Sequence, residues 1–194
     1  MDRRGVDGEG GERSRTAGVG ALRLAAWSGA ALVLLLPLVA MQFTDEVAWT
    51  AFDFAFAGAL ILGVGLAYEA AVRMSRDIAY RAAVGVALAA ALGLVWVTGA
   101  VGVIGSEDNP ANLMYGGVLA VGIAGAVIAR FRPAGMARAL VATALAQAAV
   151  AVITLAAALA TLVLNGFFVA LWLGSAWLFR KAARQLDGRE PATR

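Results

Sequence analysis

Two residue types are missing from the chain altogether, cysteine and histidine. Without cysteine there is no disulfide, no thiolate nucleophile and no thiolate metal site. Without histidine there is no imidazole base and no usual haem ligand. Carboxylates, hydroxyls and arginine remain, and no spacing among them forms a nucleophile–base set. The sequence therefore leans away from an enzyme, and it calls for no cofactor.

Charge is scarce as well. Only 15% of the 194 residues are charged, against about 25% in a typical soluble domain. Residues 24–44, 82–106, 109–129 and 139–179 carry no charge at all, and residues 47–68 carry only Asp53. What fills these stretches is apolar: 61% of the chain is hydrophobic and its mean hydropathy is +0.79. About 20 mostly apolar residues cross a hydrocarbon core of roughly 30 Å. The expected fold class is all-α, an integral membrane bundle with the lipid bilayer as its first partner.

The net charge of +3 and the high isoelectric point do not indicate nucleic acid, because the basic residues track the ends of the apolar runs. They fall in four clusters, Arg3 to Arg23, Arg73 to Arg81, Arg130 to Arg138 and Arg180 to Arg194, while Asp45, Glu46, Glu107 and Asp108 occupy the alternate loops. An excess of Lys and Arg marks cytoplasmic loops, so both termini are expected inside. Arg138 and Arg180 then lie on one side, and the 41 uncharged residues between them must cross an even number of times. As helix that gap is roughly 62 Å, about twice one bilayer core.

Six transmembrane helices follow, at about 22–42, 46–73, 79–105, 110–130, 137–159 and 162–181. The last two are expected to turn between Ala158 and Gly166, with Asn165–Gly166 as a turn dipeptide. Residues 1–21, Gly-rich and of mixed charge, read as a disordered cytoplasmic tail, and residues 182–194 as a cytoplasmic C-terminal tail. The first apolar run is longer than a signal-peptide core and "PLVAMQF" is a poor cleavage site, so it reads as a retained span. The abundance of Arg, Ala and Gly suggests a GC-rich bacterial genome and hence a bacterial inner membrane.

Helices in lipid associate through close backbone approach and interhelical polar contacts. Gly99, Gly102 and Gly105 on the third span, with Gly116, Ala120, Gly122, Ala124 and Gly125 on the fourth, suggest a tight antiparallel pair between those two. Gly58, Gly63 and Gly65 suggest close packing of the second. Thr143, Gln147 and Thr154 share one face of the fifth span and read as interhelical hydrogen-bonding groups. Phe43, Trp49 and Phe52, and at the other end Tyr68, Tyr80, Trp177 and Phe179, read as interfacial anchors.

Two acidic segments stand out on the outer side. In "SEDNPAN", Asn109 precedes Pro110 and suits a helix N-cap, with Glu107 and Asp108 near the positive end of the helix dipole. In "MQFTDEVAWTAFDF", Thr44 suits the same role for the second helix. Asp53 then falls more than two turns inside, seven residues from Glu46 on the same face. An intramembrane carboxylate with no basic residue in its leaflet is a functional candidate by default. Asp53, Glu46, Glu107, Asp108 and Asn109 thus form a candidate proton or cation site. Their oxygens suit a hard cation in type, but no spacing matches a known calcium loop, and whether a metal binds stays open. Glu69 and Arg73 make an i, i+4 pair.

The stretches "MQFTDEVAWTAFDFAFAGALILG", "GSEDNPANLMYGG", "ARFRPAGMARAL" and "LNGFFVALWLGSAWLFRKAA" resemble those of small polytopic bacterial inner-membrane proteins of uncharacterised function. The resemblance covers nearly everything after the N-terminal tail and brings no catalytic or binding residue with it. Two readings remain. One is a non-catalytic structural or accessory membrane component, partnered by a second copy or by another membrane protein. The alternative is a small cation- or proton-coupled permease or channel built around Asp53.

Overall fold

The computed structural model of the chain describes residues 24–25, 27–44, 48–100, 103–104, 109–154 and 159–188. The described residues form helices and short connections, with no strand among them. The helices are α1 (Trp27–Ala40), α2 (Ala51–Met74), α3 (Ile78–Ala100), α4 (Leu113–Ile128), α5 (Pro133–Ile153) and α6 (Leu159–Asp187), with a 3-10 turn at Pro110–Asn112 leading into α4. Five helical stretches are long and apolar enough to cross a membrane: α2, α3, Pro110–Ile128, α5 and α6. The chain is thus built as a multi-pass membrane protein. Over its described residues α1 is apolar but shorter than a span. Residues 1–23, which hold the expected N-terminal tail, and 189–194, the last six residues of the expected C-terminal one, lie outside the described residues; residues 182–187, expected as tail, continue α6.

Two compact units divide the chain, residues 1–65 and 66–194, and α2 runs through the boundary. In the first unit α1 lies along the start of α2. A Cβ on Gly65 would meet the Trp27 ring at 2.5 Å, and one on Gly58 would meet Leu34 Cδ2 at 3.7 Å. Gly58 and Gly65 are seven residues apart, hence on one face. Gly63 has open space around it and belongs to another face.

α2 begins five residues later than the sequence suggested. Thr44 closes the turn that follows α1, its N–H donating to Ala40 O at 3.0 Å. Residues 48–50 are non-helical. The first intrahelical bond of α2 runs from Phe54 N–H to Thr50 O at 3.2 Å, which makes Thr50 the N-cap.

In the second unit the packing order departs from chain order. α3 packs on α6, α6 on α5 and α5 on α4, whereas α3 and α4 scarcely touch. The tight pair expected between the third and fourth spans is therefore replaced by α4 against α5. Gly122 sits against Thr143 Oγ1, which a Cβ would meet at 3.2 Å. A Cβ on Gly125 would meet Ala139 Cβ at 2.6 Å and its Cα at 3.2 Å, so only glycine fits this crossing. Gly99 and Gly116 have nothing within reach of a Cβ, Ala120 and Ala124 are exposed, and Gly102 and Gly105 lie outside the described residues.

The buried faces of α5 and α6 explain why these helices form the centre. On α5 the buried positions 136, 140, 143, 147 and 150 are spaced by four and three. On α6 the buried positions 161, 165, 168, 172, 175, 179 and 182 follow the same spacing. A repeat averaging 3.5 residues keeps one seam facing a neighbour and favours left-handed crossings near 20°. α5 ends at Ile153 and α6 begins at Leu159, so Asn165–Gly166 falls inside α6 rather than in a turn. The reason is that the Asn165 side chain is held by partners in the bundle.

The connections at the basic end are short and capped. After α4, Arg130 and Phe131 take left-handed conformations (φ 49° and 58°), with Phe131 N–H reaching back to Ala126 O at 3.2 Å. Pro133 then opens α5 at a position where its missing N–H is not needed. Between α2 and α3, Asp77 Oδ1 accepts from Tyr80 N–H at 2.9 Å. Arg81 donates to Ser75 O at 2.8 Å and Val72 O at 3.0 Å, satisfying carbonyls at the end of α2.

Candidate functional site

Asp53 sits in the first turn of α2 and closes a capping box. Its Oδ2 accepts from Thr50 N–H at 2.7 Å and from Thr50 Oγ1 at 2.8 Å. Asp53 N–H approaches Thr50 Oγ1 at 3.4 Å in return. This is the reciprocal arrangement of a Ser/Thr N-cap with an acid three residues on. The later helix start also changes the depth of the carboxylate. The centre of Ala51–Met74 lies between Leu62 and Gly63, so Asp53 is roughly 14 Å from it at 1.5 Å per residue, close to the edge of a 30 Å core. The expectation that Asp53 lies more than two turns inside the helix is thereby corrected.

Of the other acidic candidates, Glu46, Glu107 and Asp108 lie outside the described residues. Asn109 is the N-cap of the 3-10 turn, its Oδ1 accepting from Ala111 N–H at 3.0 Å. Among the described residues no three His, Cys, Asp or Glu side chains converge as metal ligands would. Glu69 and Arg73 pair at 3.4 Å, as their spacing indicates.

The dense polar cluster lies elsewhere, between α4, α5 and α6. Gln147 Nε2 donates to Asn165 Oδ1 at 2.7 Å. Asn165 Nδ2 donates to Tyr115 Oη at 3.0 Å and to Thr161 O at 2.9 Å. Gln147, Asn165 and Tyr115 are each buried to within 1%. Towards the end away from the arginines, Asn112 Oδ1 accepts from Val103 N–H at 3.1 Å and Ile104 N–H at 2.9 Å. Thr161 Oγ1 donates to Val103 O at 2.8 Å. The backbone at 103–104 is thus held between the start of α4 and the start of α6. In the other direction Ser175 Oγ donates to Ala83 O at 2.6 Å, tying α6 to α3.

Gln147 makes the interhelical contact expected of its face of α5. Thr143 and Thr154 are buried there too, but their hydroxyls bond back along their own helix, to Ala139 O at 3.0 Å and Val150 O at 2.8 Å. Such back-bonding satisfies a buried hydroxyl without a partner helix. Tyr80 and Phe179 are buried rather than interfacial. Their rings meet edge to face at 5.2 Å, and Tyr80 Oη donates to Phe131 O at 3.0 Å. Trp177 stays exposed, as an anchor should.

Sequence reasoning passed over Tyr115, Thr161, Asn112 and Ser175, and read Asn165 as part of a turn. The available signal for three of them was the four–three spacing of Thr161, Asn165, Phe168, Trp172, Ser175 and Phe179, which a turn at Asn165–Gly166 conceals. Three buried polar atoms have no partner among the described residues: Thr98 Oγ1, Gln147 Oε1 and Trp172 Nε1. Chemically the cluster is neutral, with no acid, no base and no activated nucleophile, so it is suited to joining helices. No family model, no curated protein and no solved structure matches the chain.

Proposed function

We propose that this chain is a non-catalytic structural or accessory component of a bacterial cytoplasmic membrane, crossing it six times with both termini inside and working beside a second copy or another membrane protein. The observation that carries the reading is the contact of Gln147, Asn165 and Tyr115, buried polar groups engaged with one another across three helices. Each such bond adds roughly 0.6–2 kcal/mol to helix association. The capping bonds of Asp53 support the same reading, because they give a structural reason for the carboxylate that a proton- or cation-coupled permease would need.

The test is flux. Purified protein in proteoliposomes is expected to pass protons, sodium and potassium no faster than protein-free vesicles under imposed gradients. A flux abolished by Asp53→Asn would overturn the reading in favour of the permease. Orientation is tested separately: reporter fusions after Arg76, Arg132 and Arg184 are expected in the cytoplasm, and one after Glu107 outside.

A further inference from the structure

At its basic end α6 presents a groove of about 370 Å³ lined by Trp177, Arg180, Lys181, Arg184 and Gln185. We infer that this groove binds the phosphodiester headgroup of an anionic glycerophospholipid, with Trp177 at the level of the glycerol backbone.

Charge is the first argument. Three cations line the groove and no carboxylate does. Arg180, Lys181 and Arg184 are all exposed, and none is in an ion pair among the described residues. Lys and Arg clustered at the end of a membrane helix attract anionic lipid, and arginine can grip phosphate with two parallel bonds. Position is the second argument. The groove continues the exposed side of α6, where Val163, Phe167, Leu173 and Trp177 face outward. Gly166 and Gly174 on that side have nothing within 4 Å of a Cβ position, which leaves a shallow track for an acyl chain. A soluble phosphate would have no use for that track. Trp177 is the third. It is 61% exposed, and Lys181 Nζ stands 5.8 Å from its ring centre, within reach of a cation–π contact. That contact holds the ammonium beside the indole at the height where an interfacial Trp sits.

The experiment is native mass spectrometry of the full chain released from micelles containing equal phosphatidylglycerol and phosphatidylcholine. The wild type is expected to retain phosphatidylglycerol in at least tenfold preference. The triple variant Arg180→Gln, Lys181→Gln, Arg184→Gln is expected to lose that preference. Arg130→Gln with Arg132→Gln, which removes charge elsewhere at the same end, is expected to keep it. All substituted side chains are exposed, and gel filtration checks that each variant stays monodisperse. Equal retention of both lipids by the wild type would overturn the inference, as would equal loss in the two variants. A third arm adds inorganic phosphate. Displacement of phosphatidylglycerol by millimolar phosphate would mark the groove as a site for free phosphate and also overturn it.

Discussion

The longest polar bonds described in the two units span different distances along the chain. In residues 24–65, Gln42 reaches Leu38 O four positions back and Asp53 bonds Thr50 three positions back. In residues 66–188, polar bonds join Tyr115 to Asn165, Tyr80 to Phe131, Thr161 to Val103 and Ser175 to Ala83, separations of 50, 51, 58 and 92 residues. A local cap orders one helix start and does not specify which helices are neighbours. A long-range bond in an apolar surround does specify neighbours, because breaking it leaves a buried polar group unpaired. The Asp53 carboxylate is thus a local device, and buried neutral side chains, amides and hydroxyls, determine which helices are neighbours.

The strongest way to break that contrast is steric. Gly125→Leu must push apart α4 and α5, because the new side chain meets the backbone of Ala139 and not a flexible tip. A loss of about 3 kcal/mol is expected in detergent unfolding, whereas Ala124→Leu on the exposed face is expected to change little. Asn165→Leu comes next. It strands Gln147 Nε2 and the Tyr115 hydroxyl, for an expected loss of about 2 kcal/mol. Thr50→Ala removes the cap of α2, with an expected loss of about 1 kcal/mol. Hydrogen exchange should show that loss as faster opening of the first turn, at Asp53 and Phe54, with α4 to α6 unchanged. The smallest effect is expected for Asp53→Asn, since a carboxamide oxygen can still accept from Thr50. A thermal shift as large as that of Asn165→Leu would mean that Asp53 does more than cap.

The class of fold was legible from composition, because uncharged apolar runs of span length leave few alternatives. The start of the fourth span was legible at Asn109–Pro110 because proline and a capping asparagine act within a few residues. The pairing of α4 with α5 was not. Glycines on the third and fourth spans look alike in sequence, and only the neighbour distinguishes Gly125, packed on Ala139, from Gly116, which faces open space. Asn165 was misread for the same reason. Asn-Gly is a strong local turn signal, but here the asparagine's partners lie 18 and 50 residues away. Asp53 depended on one boundary. A helix starting near Glu46 buries it, whereas one starting at Ala51 makes it a cap.

The central claim is that buried amides hold α5 to α6, and a double-mutant cycle on Gln147→Leu and Asn165→Leu tests it most directly. Unfolding free energies of the wild type, both single variants and the double variant should give a coupling of roughly 1 kcal/mol, within the range measured for hydrogen bonds between membrane helices. The double variant should then lose less than the two single losses combined. Strictly additive losses would mean that Gln147 and Asn165 do not stabilise each other, and would contradict the account.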